Sequence, residues 1–187
     1  MPRTIITHKG QTLTVLKTIG SGQFGVASTV RTRDGTTLCL KEVTVRHADE
    51  GAREAVLQEV QLMKETCAHP NVVSFKDSWF DRHRMYILME FCPNGALDKV
   101  VEEYALAKKR FTPVKITQWL QDLADAVRYI HDALKIMHRD IKPANILIDK
   151  LGTLKLADFG LGKKLGGNDL AATYVGTPIY MSPELCL

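Results

Sequence analysis

Up to Glu90 the chain alternates apolar and polar residues in short runs, and beyond it the apolar residues recur at helical spacing. Leu13 to Ile19 and Val26 to Arg31 are β-type runs separated by a glycine-rich turn. Arg33-Asp34-Gly35 is a hairpin signal leading into the apolar run Leu38-Cys39-Leu40-Lys41-Glu42-Val43. From about Glu50 to Thr66 the pattern is helical, and it stops before His69-Pro70-Asn71. Phe75 to Phe80 and Met85 to Glu90 read as strands around the polar turn Asp81-Arg82-His83-Arg84. The stretch Phe91-Cys92-Pro93-Asn94-Gly95 is turn-rich and marks a boundary. Beyond it a helix opens with Thr112 as N-cap and Pro113 at the first helical position. Its apolar residues Ile116, Leu120, Leu123, Val127 and Ile130 recur at spacings of four and three, which predicts a buried helix with that face inward. The layout is a small β-rich part with one helix, a boundary, then a helical part.

Composition changes this picture little. The 187 residues suffice for one domain or two small lobes, and a charged fraction of 25% is ordinary for a globular chain. The net charge of +4 is too mild to predict a nucleic-acid partner, and Lys108-Lys109-Arg110 reads as a solvated loop. No apolar leader follows Met1, and no run is long enough to span a membrane. Cys39, Cys67, Cys92 and Cys186 are scattered without metal-ligand spacing and read as free thiols in a reducing compartment.

The chemistry concentrates in a few motifs. Gly20-Ser21-Gly22-Gln23-Phe24-Gly25 is a GxGxxG, weak alone because dinucleotide-binding folds use it too. In those folds the glycines open a helix, whereas here Val26-Ala27-Ser28-Thr29-Val30 continues as a strand. A strand–glycine–strand hairpin can fold over nucleotide phosphates and donate backbone N–H groups. Lys41 lies in an apolar strand. Glu59 sits near the apolar face of its helix, beside Val56, Val60 and Met63, where a carboxylate wants a cation. The two are expected to pair and hold the lysine against phosphates. His138-Arg139-Asp140-Ile141-Lys142-Pro143-Ala144-Asn145, followed by Asp158-Phe159-Gly160, supplies the rest. Asp140 would orient or deprotonate a substrate hydroxyl, Lys142 would neutralise charge on the transferring phosphoryl group, and Asn145 and Asp158 would offer hard oxygens to Mg²⁺. His138 is expected to pack and hydrogen-bond rather than titrate in the chemistry.

With these motifs in this order, the chain resembles the eukaryotic protein kinases from about Leu13 onward. Asp140-Ile141-Lys142-Pro143-Ala144-Asn145 and Gly176-Thr177-Pro178-Ile179-Tyr180 resemble the serine/threonine class. The runs Met85 to Cys92 and Ala172 to Pro178 are most similar to the NIMA-related kinases, though STE-like and calcium/calmodulin-type kinases share much of this wording. The resemblance implies an α+β, two-lobe protein kinase-like fold. Residues 1–12 would be an N-terminal extension, residues 13–90 a β-rich N-lobe with one helix, and residues 91–187 the hinge and a partial, mainly helical C-lobe. It implies ATP and Mg²⁺ as cofactors and proteins carrying Ser or Thr as substrates. Ile19, Ala27, Cys39 and Leu147 would enclose the nucleotide with the glycine loop; Met89 would be the gatekeeper, and the backbone of Glu90 and Cys92 would meet the adenine edge. Met63, Phe75, His138 and Phe159 would stack as a regulatory spine. Arg139 implies control by activation-loop phosphorylation, through an upstream kinase or self-association, with Thr173 as first phosphosite and Thr177 as a second candidate that supports substrate binding next to Asp140 and Lys142. A cytoplasmic, cytoskeleton-associated location follows from the same likeness.

Three departures qualify it. Ala27 stands where kinases usually have valine, and Cys39 where they usually have alanine; both are small and apolar, so a nucleotide should still fit. The chain also ends at Leu187, soon after Met181-Ser182-Pro183-Glu184, where kinases of this kind continue with further helices. The expectation is therefore a truncated kinase with an open apolar face on its large lobe, and the alternative is a catalytically silent module that binds nucleotide or a partner.

Overall fold

The computed structural model describes residues 4–22, 25–45, 50–66, 68–159, 163–164 and 177–181. The chain divides into two compact units, residues 1–60 with 74–91 and residues 61–73 with 92–187.

The first unit is a six-stranded antiparallel sheet with one helix. Its strands are β1 (Thr4–His8), β2 (Gln11–Gly22), β3 (Gly25–Arg31), β4 (Thr37–Thr44), β5 (Phe75–Asp81) and β6 (Arg84–Glu90), in the order β1-β2-β3-β4-β6-β5. The helix α1 (Glu50–Thr66) follows β4, its residues from Gln61 onward counting with the second unit. Strand alternation sends Leu13, Val30, Leu40, Tyr86 and Leu88 to one face, where they form a buried cluster flanked by Ile6, Val15, Leu38 and Trp79. Residues 4–8, expected only as part of an extension, are a full edge strand paired with β2 from Thr4↔Val15 to His8↔Gln11. The two edges of the sheet meet. His8 stacks on Trp79 with ring centroids 4.3 Å apart, and Lys9 Nζ lies 3.2 Å from Asp77 Oδ2. These side-chain contacts cover part of both edges, where backbone groups would otherwise be offered to other chains.

The second unit contains α2 (Leu97–Leu106) and α3 (Pro113–Arg128), which runs into a π-helical turn at Tyr129–Ala133. It also has the short strands β7 (Ile136–Met137), β8 (Ile146–Ile148), β9 (Leu154–Leu156) and β10 (Lys163–Lys164), paired as β8–β9 and β7–β10. Thr112 caps α3 as its sequence implies, its hydroxyl accepting from Lys115 N at 3.2 Å.

The inward face of α3 differs from the one its apolar periodicity predicts. Ile116 and Leu120 are 45% and 63% exposed, Leu123 and Val127 are half-buried, and only Ile130 of that set is buried. The buried face is Trp119, Asp122 and Ala126, leading on to Ile130. Two polar anchors select it. Trp119 Nε1 donates to Gly152 O at 3.0 Å, and Asp122 Oδ2 accepts from Leu154 N at 2.9 Å, while Gln118 Nε2 donates to Asp122 Oδ1 at 3.0 Å. A buried carboxylate that receives a strand N–H is well satisfied. Hydrophobic periodicity counts it as solvent-facing and so predicts the wrong inward face. α2 was not expected at all. Its N-cap is Ala96, with no side-chain capping bond, and none of its residues is fully buried.

Candidate active site

The site residues fall in both units, and each set is built by its own elements. In the first unit the glycine motif is the end of a hairpin. Gly20 pairs with Ala27, Ser21 with Val26 and Gly22 with Gly25, while Gln23 and Phe24 lie outside the described residues. This is a strand-turn-strand, as the sequence implied, and not the opening of a helix. Gly25 has φ +129°, and a Cβ there would overlap the carbonyl oxygen of Glu42 on β4, so no other residue fits the hairpin's return. Ile19 is 47% exposed beside it.

Ala27 lies opposite Lys41, and Cys39 lies opposite the buried Met89. The Cys39 thiol is pushed up to about 11 by burial, against the opposing charge of Lys41, so it stays protonated and inert at neutral pH. Lys41 Nζ reaches Glu59 Oε1 at 2.7 Å, with the glutamate side chain only 10% exposed and the lysine 21%. The pair follows from regular elements: β4 aims Lys41 off the sheet, and α1 presents Glu59 on the same side as buried Val60 and Met63. At the end of β6, Glu90 N donates to Ser74 O at 2.9 Å and its Oε2 accepts from Ser74 N at 3.2 Å, tying that segment to the start of β5. Phe75 is half-buried opposite Met89.

In the second unit the motif residues sit on loops, and hydrogen bonds replace regular structure. His138 is buried and shares a contact with buried Phe159, ring centroids 4.9 Å apart. Its Nδ1 accepts from Asp140 N at 3.3 Å, so Nε2 carries the proton and donates to Ala157 O at 2.9 Å. Burial holds the imidazole below its ordinary value, despite the opposing bond from Ala157 and the charges of Asp158 and Asp140. His138 therefore packs and orients, as expected. Ala157 N in turn donates to Asn145 O at 2.9 Å, which clamps the segment before Asp158 to the end of the 138–145 loop.

The Asp140 carboxylate is held on both oxygens. Oδ1 accepts from Thr177 Oγ1 at 2.7 Å. Oδ2 accepts from Asn145 Nδ2 at 2.8 Å and lies 2.8 Å from Lys142 Nζ. Lys142 Nζ also donates to Thr177 Oγ1 at 2.6 Å, which closes a ring of three side chains. Burial pushes Asp140 up, but the bonds from Lys142, Thr177 and Asn145 together outweigh it and hold the carboxyl below its usual range. Arg139 and Asp158 both take left-handed backbone, φ +66° and +64°, as Lys9, Arg82, Lys108 and Lys135 do elsewhere among the described residues. Cys92 is buried, and half-buried Leu147 on β8 bridges to Ala96.

Fit to a magnesium ion rests on the donor set. Asn145 commits its Nδ2 to Asp140 O and Oδ2, which leaves its amide oxygen as the atom offered to a cation. Asp158 adds an exposed carboxylate a residue beyond the clamp at Ala157. Among the described residues no group of three or more His, Cys, Asp or Glu side chains could hold a metal. A magnesium ion bound by one or two protein oxygens plus substrate phosphates needs no such group, so the residues fit. Thr173, Gly160 and Ser182 to Glu184 lie outside the described residues. The backbone clamp at Ala157 was the piece that sequence reading missed, because N–H and C=O groups carry no residue identity.

Comparison with known proteins agrees with this architecture: residues 13–186 match the protein kinase domain family, and the chain belongs to it. It is 37% identical over 173 residues to serine/threonine-protein kinase Nek1 of Mus musculus, covering 91% of this chain and 14% of that protein. It is 36% identical over 178 residues to serine/threonine-protein kinase Nek2 of Homo sapiens, covering 91% and 40%. It is 35% identical over 175 residues to the probable serine/threonine-protein kinase nek2 of Dictyostelium discoideum, covering 91% and 42%. The chain thus spans less than half the length of these curated relatives. No helix among the described residues is long and apolar enough to cross a membrane.

Proposed function

We propose that this chain carries the nucleotide-binding and phosphoryl-transfer elements of an ATP- and Mg²⁺-dependent protein serine/threonine kinase of the NIMA-related type. The observation that carries the proposal is the Asp140 carboxylate, kept ionised and aimed by Lys142, Asn145 and Thr177. An ionised carboxylate so fixed can accept a hydrogen bond from a substrate Ser or Thr hydroxyl, orient its oxygen for in-line attack and take its proton. Lys142 Nζ, already 2.8 Å from that carboxylate, would stabilise charge on the transferring phosphoryl group. Lys41, braced by Glu59, would hold the α- and β-phosphates of ATP, and the glycine hairpin would donate its backbone N–H groups to them. Asn145 Oδ1 and the Asp158 carboxylate would hold Mg²⁺, which when bound bridges the phosphates and offsets their charge.

The proposal extends to substrates and control. Proteins bearing Ser or Thr are the acceptors, and phosphorylation at Thr173, by an upstream kinase or a second copy, is the activating event that Arg139 would read. Thr177, engaged with both Asp140 and Lys142, serves the acceptor site. The cytoplasm is the proposed location, in keeping with the free thiols of Cys39 and Cys92.

The test is radiolabelled γ-phosphoryl transfer to a generic basic protein, with Mg²⁺-ATP thermal shifts on the same samples. Asp140→Asn is expected to lower transfer by about 10²–10⁴-fold and leave the ATP shift intact. Transfer undiminished in Asp140→Asn overturns the assignment. A Mg²⁺-ATP shift with no transfer by the unaltered chain assigns a binding module instead.

A further inference from the structure

The closure of the first unit's sheet makes a cavity that the phosphoryl-transfer chemistry leaves unused. The strands curl around the cluster of Leu13, Leu40 and Leu88 until the β1 and β5 edges meet through His8, Lys9, Trp79 and Asp77. At one end of this barrel-like sheet a cavity of about 500 Å³ opens to solvent. The β1–β2 turn at Gly10 to Thr12 and the β3–β4 turn at Thr32 to Thr36 form its walls with the start of β5. Its floor is Leu38 and Leu88, the latter only 4% exposed and part of the core. Barrel mouths of this size are common positions for small-molecule sites, which combine an apolar base with a few polar groups that fix orientation.

The charges at the mouth are not balanced in what they already bind. Asp34 accepts from the hydroxyls of Thr32 and Thr36, and Asp77 accepts from Lys9 Nζ and Ser78 N. Lys9 offsets the charge of Asp77, while the hydroxyls of its own turn occupy Asp34, which keeps its charge. Arg33 and Lys76 also line the cavity, and neither has an ion-pair partner among the described residues. Two cations above an apolar floor, with the side chains of Gln11 and Thr12 beside them, match one ligand chemistry. We propose that this barrel mouth binds a small amphipathic anion, an apolar chain or ring bearing a single carboxylate or phosphate, with its apolar part on Leu38 and Leu88 and its charge between Arg33 and Lys76. Such a ligand would be bidentate to the guanidinium and would satisfy the ammonium as a point charge. By bridging the β1–β2 and β3–β4 turns to β5, it would also fix the closure of the sheet. None of these residues belongs to the phosphoryl-transfer machinery, so the proposal stands or falls separately from it.

The experiment is an amide-resolved NMR titration of the full chain with hexanoate, phenyl phosphate and neutral hexanol. Saturable shifts confined to Gly10–Thr12, Thr32–Thr36 and Lys76–Asp77 with one or both anions, and none with hexanol, are the expected result. The two anions distinguish a carboxylate source from a phosphate source. The double variant Arg33→Glu with Lys76→Glu is expected to weaken the fitted Kd by about tenfold or more. Both side chains are exposed, and unchanged resonances for Leu13 and Leu40 will confirm that the variant is folded. Shifts that hexanol reproduces, binding unaffected by the double variant, or no shift at these amides overturns the proposal. Shifts seen only with a peptide that carries glutamate beside leucine, and with neither small anion, overturn it as well.

Discussion

The two clusters of candidate site residues in this chain are built in opposite ways. Lys41 and Glu59 meet because a strand and a helix, each regular along its length, deliver one side chain apiece to a 2.7 Å contact. Asp140, Lys142, Asn145 and Thr177 meet on segments with almost no regular structure, held by side-chain bonds to one another and by backbone bonds through Ala157. The first arrangement is cheap to specify, since periodicity does the aiming, and it centres on the ion pair of Lys41 with Glu59. The second spreads its cost over several bonds and includes left-handed backbone at Arg139. A site placed by regular elements should therefore fail sharply when one partner goes, whereas a cross-bonded loop should lose geometry before it loses stability.

That contrast can be broken at the ion pair first. Lys41→Met leaves Glu59 buried with its cation gone and is expected to destabilise the chain by up to about 3 kcal/mol in urea unfolding. Adding Glu59→Gln should restore part of the loss; if the double variant is no better than the single, the pair is not what organises that region. Asp122→Ala comes next. It orphans the buried N–H of Leu154, and the urea midpoint should fall by an amount equivalent to about 1–3 kcal/mol.

A smaller, pH-dependent effect tests the loop cluster. Burial lowers His138, so protonation is disfavoured in the folded chain relative to the unfolded one. Stability should be flat above the ordinary value of 6.5 and decline as pH falls below it, because there the unfolded state gains a proton that the folded state resists. His69, also lowered by partial burial, adds a slope of the same sign. His138→Phe should remove part of that slope, and an unchanged pH profile would show that the imidazole is not neutral in the fold. The smallest expected effect is Leu120→Glu, within about 0.5 kcal/mol of the parent, because that side chain is 63% exposed. A large loss there would mean that the apolar stripe of α3 faces inward after all.

Legibility in the sequence follows the same division. The bounds of α1 (Glu50–Thr66), the Thr112 cap and Pro113 start of α3, and the glycine hairpin were all readable, because each depends on neighbours within a few positions. The pairing of Lys41 with Glu59 was readable from burial pattern and charge. α3 was misread at Ile116 and Leu120, since only the contact of Asp122 with Leu154 reveals that a carboxylate faces the core. α2 escaped notice because it lacks both a capping side chain and a fully buried face.

By itself the sequence determined β2 to β6, α1, the start of α3 and the motifs proposed for phosphoryl transfer, because local propensity and motif chemistry are properties of short segments. Only the tertiary structure decided which face of α3 is inside, that residues 4–8 close the sheet against Asp77 and Trp79, and that Thr177 completes the grip on Asp140 across an interval of 37 residues. Those outcomes depend on hydrogen bonds and ion pairs between distant segments. The gain from such a contact appears only once the chain has brought both partners together, and no local pattern encodes that meeting.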